Sequence, residues 1–298
     1  MEYRRLGKTD MRVSVLGFGG AEIGFEQASL ADVARLFGDA LDAGLNLIDT
    51  AECYLQSEEL IGRAVASRRN DFYLFTKCGH PEVAGAEDWR PESLLRSIQR
   101  SLQRLRTDRL DLVQLHSCSE TELRKGDVIA ALQEARGKGY TRYIGYSGDG
   151  LAARHAITCG AFDTLQTSIS IADQEAVDLT MPLAQERHVG VIAKRPIANA
   201  AWRYAGKPDN AYHVTYWERL QKLGYDFLRA GGADAVSVAL RFTLTVPGVH
   251  TAIVGTKNPQ RWRENAVIAD AGPLPEQQFD DIRRRWRSVA QQDWVGQT

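Results

Sequence analysis

The stretch VLGFGGAEIG, Val15–Gly24, admits two readings, and the choice between them decides the fold. Gly17 and Gly19 follow an apolar run, and Asp49 closes the next one, a layout that imitates the glycine-rich turn of a Rossmann sheet. Two features argue against that reading. Glu22 stands where the fingerprint needs its third glycine, and the next helical pattern begins only at Ser29. No helix N-terminus would then follow the glycines to receive a phosphate. The glycines read better as a tight turn at the rim of a barrel.

Working outward, eight short β-rich runs recur: VSVLGF, NLIDTA, FYLFTK, LDLVQLH, YIGYSG, LQTSIS, GVIAKR and TAIVGT. Each is nearly continuously apolar, as parallel strands buried on both faces require. Amphipathic stretches alternate with them. SLADVARLFGDALDAG opens on Ser29 as N-cap, with Asp32 at the capping-box position, and closes on Gly44. RPESLLRSIQRSLQRLRTD has Pro91 in its first turn and Leu94, Ile98, Leu102 and Leu105 at helical spacing. KGDVIAALQEARGKG and SEELIGRAVASRR read the same way.

Eight strand–helix units predict an α/β fold, a (β/α)8 TIM barrel, in one domain over residues 1–298. YRRLGKTDMRVS predicts an N-terminal β-hairpin turning at Gly7–Asp10, and PEQQFDDIRRRWRSVAQQ a C-terminal tail helix folding back across the barrel. The segment from Ile197 to Gly232 is too long for a plain connection. Its Trp202, Tyr204, Tyr212 and Trp217 suggest a lid or pocket wall.

Composition narrows the function classes. The 37 Lys and Arg residues nearly balance 38 Asp and Glu, so nothing electrostatic favours a nucleic acid or an anionic membrane as partner. The start MEYRRLGKTD has no apolar signal core, and no run approaches a membrane span, which predicts a cytoplasmic location. The cysteines Cys53, Cys78, Cys118 and Cys159 form no CxxC pair and no zinc-ligand spacing, so no metal is expected. They read as reduced, small apolar side chains; three of them lie near strand ends, where proximity would make them sensitive to oxidation.

In a barrel of this kind active sites gather at the C-terminal strand ends. Those ends carry Asp49, Lys77, His116, Ser147, Gln166, Lys194 and Thr256, with Tyr54 just beyond its strand. Each alone has an ordinary structural reading, as a turn cap or a packed rim residue. Together, Asp49, Tyr54, Lys77 and His116 suggest a proton-transfer device. A phenol is a poor acid at neutral pH; a nearby ammonium favours its phenolate, and a carboxylate keeps that ammonium charged. An imidazole can orient the substrate oxygen or relay the proton.

The segments LGFGG, DTAECY with SEELIG, FTKCG, DLVQLH, IGYSG and TAIVGTKNPQRWREN make the chain resemble the aldo-keto reductase superfamily over nearly its whole length. The resemblance implies an NADP-dependent reductase of aldehydes or ketones, acting on a small-molecule carbonyl or alcohol substrate. In it Tyr54 is the general acid, Lys77 lowers its pKa, Asp49 holds Lys77, and His116 positions the carbonyl. It also implies that the cofactor lies extended across the barrel mouth. Gly19, Ser147, Gln166, Lys194, Gly255, Thr256, Lys257, Arg261, Glu264 and Asn265 would contact it, Gln166 and Ser147 at the carboxamide and the GTKNPQRWREN segment at the adenosine end. Thr256 and Lys257 would meet the 2′-phosphate that distinguishes NADPH from NADH, Arg261 would supply a fork to it or stack on adenine, and Glu264 with Asn265 would fix the adenine.

Two positions depart from the family pattern. Gly148 replaces the usual asparagine after Ser147, and Lys194 stands where many relatives carry an aromatic ring that stacks on the nicotinamide. Lys194 then faces the diphosphate or the substrate. Phe25, Trp89, Trp202 and Trp217 would give the pocket an apolar mouth. Two further readings stay open: a cofactor-binding redox-sensing regulatory subunit with little turnover, and a barrel aldolase with Lys77 or Lys194 as Schiff-base amine. Oligomeric state is not readable from the chain.

Overall fold

The computed structural model describes residues 1–80, 88–229 and 233–297. A short antiparallel hairpin, β1 (Tyr3–Arg5) and β2 (Arg12–Ser14), comes first. Eight parallel strands then close a barrel: β3 (Leu16–Gly19), β4 (Leu47–Asp49), β5 (Tyr73–Cys78), β6 (Leu110–His116), β7 (Thr141–Ser147), β8 (Thr164–Ser168), β9 (Gly190–Lys194) and β10 (Val249–Val254). β10 pairs with both β9 and β3, which closes the ring without an edge. The first run, VSVLGF, divides at Val15: its start belongs to the hairpin and its end to the barrel.

The hairpin has a packing role. Leu6, Met11 and Val13 are buried with Leu47, Phe75, Leu112, Ile192 and Ile253, the inward residues of five barrel strands. These side chains plug the lower barrel as an apolar layer. Successive residues of a strand face opposite ways, so the next inward position lies two residues on. On β4 Leu47 is followed by Asp49, on β5 Phe75 by Lys77, on β6 Leu112 by Gln114 and then His116. The barrel interior thus changes from apolar floor to polar mouth along each strand.

Outside, the helices bury one face against the sheet. Leu30–Asp42 is capped as its sequence predicts: Ser29 Oγ accepts the Asp32 N–H at 3.1 Å, and donates to the Asp32 carboxylate at 2.6 Å. Its Val33, Leu36, Phe37, Ala40 and Leu41 are buried. Pro91–Arg104 places Pro91 in its first turn and buries Leu94 and Ile98. Among the described residues no helix is long and apolar enough to cross a membrane.

Two expectations need correction. A helix does follow the glycines at once, Ala21–Phe25, so the absence of one was not a valid reason to reject the Rossmann reading. Five residues with mixed polarity carry too weak a period to be seen in sequence. The closed ring of eight parallel strands is what excludes it. That short helix packs so closely that a Cβ on Gly24 would collide with the Tyr54 carbonyl oxygen.

The excursion after β9 contains a 3-10 turn at Ala198–Arg203, the helix Ala211–Leu223 and a second turn at Asp226–Leu228. The end of the excursion, residues 230–232, lies outside the described residues. The tail helix Glu276–Val289 packs beside Ala211–Leu223, with Arg285 donating to the Leu223 carbonyl at 2.6 Å. The chain then runs back toward the mouth, where Trp294 is buried against Trp286 with ring centroids 5.4 Å apart.

Candidate active site

Four side chains from consecutive strand ends meet at the mouth between β4 and β6. Lys77 Nζ donates to Asp49 Oδ2 at 2.5 Å and to the Thr50 carbonyl at 2.8 Å, and lies 3.5 Å from Tyr54 Oη. Its ammonium also sits 4.9 Å from the Tyr54 ring centre. The His116 ring meets Tyr54 edge-on with centroids 5.8 Å apart. Lys77 and Asp49 are each 1% exposed, whereas Tyr54 and His116 are half-buried and face the opening.

Asp49 is held by more than lysine. Gln114 Nε2 donates to its Oδ1 at 3.1 Å, and Gln166 Nε2 donates to the same oxygen at 3.0 Å. Alternate strands β4, β6 and β8 thus supply one hydrogen-bonded level of the barrel. Gln114 is a participant that the sequence reading passed over. The signal was available: in VQLH, Gln114 lies two residues before His116 and shares its inward face.

Electrostatics correct one expectation. Burial raises the Tyr54 phenol to about 12, against the opposing pull of Lys77, so its net shift is upward and not downward. Burial also disfavours the Lys77 ammonium, but Asp49 and then Tyr54 outweigh it and bring the amine to about 12. Burial, with the positive charge of Lys77 and further contributions from His80, Lys194 and Arg195, holds His116 well below its ordinary value. At neutral pH the corner therefore holds a neutral phenol, an ammonium and a neutral imidazole.

Cys53 was not foreseen here as a neighbour of this group. Its Sγ lies 3.4 Å from His116 Nδ1, and burial pushes the thiol to about 11. Cys78 and Cys118 are buried, and burial raises both thiols too, Cys118 to about 12.

The other candidates lie around the mouth in two groups. Ser147 Oγ donates to Gln166 Oε1 at 3.2 Å, both residues being buried, Ser147 at the end of β7 and Gln166 in the middle of β8. Lys194, at the end of β9, pairs with Asp149 at 2.9 Å. Farther round, Gly19 and Gly255 lie side by side on β3 and just beyond β10, and Glu22 packs against Gly255. Thr256 and Asn265 are buried, while Lys257, Arg261 and Glu264 are exposed. Lys257 pairs with Glu26 at 3.0 Å. Asn258 caps the helix Pro259–Asp270, which carries Arg261, Glu264 and Asn265. Of the aromatics expected at the rim, Phe25 is exposed beside Tyr54 at 5.7 Å, and Trp89, Trp202 and Trp217 are half-buried.

This strand order and polar mouth can be compared with known proteins. The model of the Aldo/keto reductase family matches residues 15–287. The chain belongs to the aldo/keto reductase family. As a member it is an oxidoreductase whose general chemistry is carbonyl reduction with a nicotinamide cofactor. The solved aldo-keto reductase AKR11C1 from Bacillus halodurans, in its holo form, superposes with a TM-score of 0.84 at 26% identity over 99% of each chain. The oxidoreductase YqkF of Bacillus subtilis is 27% identical over 95% of this chain and 96% of its own. The L-galactose dehydrogenase of Arabidopsis thaliana is 27% identical over 90% and 88%.

The donor set of this aldo/keto reductase chain fits such a cofactor. Gln166 Oε1 and Ser147 offer polar atoms for a carboxamide, and two exposed cations, Lys257 and Arg261, stand near the start of one helix.

Proposed function

We propose that this protein reduces an aldehyde or ketone to its alcohol with NADPH, with Tyr54 as the proton donor. The observation that carries the reading is the convergence of Lys77 Nζ on Asp49 at 2.5 Å and on Tyr54 Oη at 3.5 Å, beneath the open side of the barrel. When bound, the nicotinamide supplies the hydride.

The chain's own residues do the rest. Burial keeps Tyr54 protonated, so the donor stands loaded at neutral pH. As the proton leaves, negative charge develops on Tyr54 Oη, and the adjacent Lys77 ammonium stabilises it. Asp49, fixed by Gln114 and Gln166, keeps that ammonium charged and aimed. Neutral His116 offers a ring nitrogen to the carbonyl oxygen without adding a competing charge. Ser147 and Gln166 orient the carboxamide, with Gly19 and Lys194 nearby. Gly255, Thr256, Glu264 and Asn265 receive the adenosine, and Lys257 and Arg261 hold its 2′-phosphate and favour NADPH over NADH.

The test follows NADPH absorbance with a panel of aldehydes and ketones in wild type and Tyr54→Phe. The expected result is turnover in wild type and a loss of about 10²–10⁴-fold in the variant, with cofactor binding kept. Full activity in Tyr54→Phe would remove the phenol from its role. NADPH binding without reduction of any carbonyl would move the assignment to a regulatory subunit.

A further inference from the structure

The mouth holds a second set of charges, between β8, β9 and the tail, that the proton donor does not use. Most are matched: Lys194 pairs with Asp149 at 2.9 Å, and Arg219 pairs with the buried Asp173. Arg195 is left over, forming no ion pair among the described residues. Its Nε donates to Tyr212 Oη at 2.8 Å and its Nη1 to Ser168 Oγ at 3.4 Å, both neutral oxygens. A third neutral oxygen completes the set, the backbone carbonyl of Gln297, which accepts from Arg195 Nη1 and, at 3.3 Å, from Lys194 Nζ.

The Arg195 guanidinium is under-served, because it presents paired donors that suit a carboxylate or phosphate and meets only neutral oxygens. The tail fits its seat imperfectly, since Gln297 Nε2 is buried without an acceptor among the described residues. Its anchors lie elsewhere: Arg219 donates to the Val295 carbonyl at 2.7 Å, and Trp294 packs on Trp286 and beneath Arg219. The tail can therefore leave Arg195 without unmaking the barrel. Ser168 closes β8 and Arg195 directly follows Lys194 at the end of β9, so the cluster stands at the same C-terminal mouth of the barrel as Lys77 and His116, which lie at the ends of β5 and β6.

We propose that Arg195, with Tyr212 and Ser168, forms a subsite for an oxyanion carried by the carbonyl substrate, a carboxylate or a phosphate, and that Gln297 vacates it when such a substrate binds. This rests on the reductase reading above and adds the substrate's chemistry to it. Neutral aldehydes would then be poorer substrates than their acidic counterparts.

The test titrates benzoate, an unreactive carboxylate, into the intact protein saturated with NADPH, and compares turnover of 4-carboxybenzaldehyde with benzaldehyde. Benzoate is expected to bind, and Arg195→Gln to weaken it by about tenfold or more, as loss of a charge partner does. The same variant should collapse the preference for the carboxylated aldehyde. Trp294→Ala, which loosens the tail, should tighten benzoate by about threefold, a gain that misfolding would not produce. Equal benzoate binding in wild type and Arg195→Gln overturns the subsite. Unchanged binding in Trp294→Ala overturns the competing tail. Benzoate binding seen only without NADPH would give Arg195 to the cofactor's diphosphate and overturn the substrate assignment. Brisk benzaldehyde turnover without benzoate binding also overturns the subsite, while leaving the reductase reading in place. Benzoate binding with the variant effects but no turnover of any aldehyde keeps the subsite and removes the reductase reading.

Discussion

Among the lysine–carboxylate pairs at the mouth of the barrel, two show the same chemistry in opposite surroundings. Lys77 and Asp49 are 2.5 Å apart and 1% exposed, at the foot of the candidate proton donor. Lys257 and Glu26 are 3.0 Å apart and about half exposed, 50% and 51%, at the candidate adenosine end. Water screens the second pair, so its members can exchange partners at little cost. The first pair has no water to fall back on, and each charge is committed to the other. The comparison teaches that burial separates a lysine fixed for one step from a lysine available to a ligand.

Removing the buried lysine should break the comparison most visibly. Lys77→Met is expected to lower the reduction rate by about 10²–10⁴-fold and to cost about 3–5 kcal/mol of folding stability by leaving Asp49 unpaired. Gln114 and Gln166 still donate to that carboxylate, so the lower end of the range is the better expectation. Urea unfolding and single-turnover kinetics measure the two parts. A stability loss below about 1 kcal/mol would mean that the buried pair behaves like a surface one.

The pH profile sharpens the same contrast. The proposed donor is the protonated phenol, present below its pKa, and burial raises that pKa to about 12 where a free tyrosine has about 10. Reduction should therefore hold its rate through pH 9 and decline only as the phenol ionises above that. His116, held low, should contribute no loss between pH 7 and 9. A decline centred between 7 and 9 would show that the Lys77 charge outweighs burial, reversing the direction found here.

The smallest effects belong to the exposed pair. Lys257→Ala should weaken NADPH by about fivefold and NADH by much less, as one exposed ion pair is worth up to about 1 kcal/mol. Glu26→Gln should tighten NADPH by about twofold, because the 2′-phosphate no longer competes with Glu26 for Lys257. Fluorescence titration at two salt concentrations reads both, and the differences should shrink as salt rises. Equal effects on NADPH and NADH would take Lys257 away from the phosphate.

Much of this molecule was legible in the chain. The LDLVQLH run matches β6 residue for residue, and the Ser29 cap sits where its hydroxyl pattern placed it. Strand periodicity also carried the inward switch from Leu47 to Asp49 and from Phe75 to Lys77. The short helix at Ala21–Phe25 was missed because five residues are too few to display a period. The sign of the Tyr54 shift was missed for a different reason. Sequence supplies the ammonium that lowers a phenol's pKa, but the depth of burial that raises it depends on what surrounds the ring.

By itself, then, the order of residues determined which side chains point inward and at which strand end, because alternation along a strand is a local property of the backbone. It also determined the eightfold repeat. Only the closed tertiary structure decided the distances between them: Asp49 and Gln166, 117 positions apart, share a hydrogen bond because β4 and β8 face one another across the barrel. The same closure brought the tail's Gln297 onto Arg195, 102 residues earlier. No local rule foresees such a contact, since it depends on where the barrel, the excursion helix and the tail helix leave the chain's last turn.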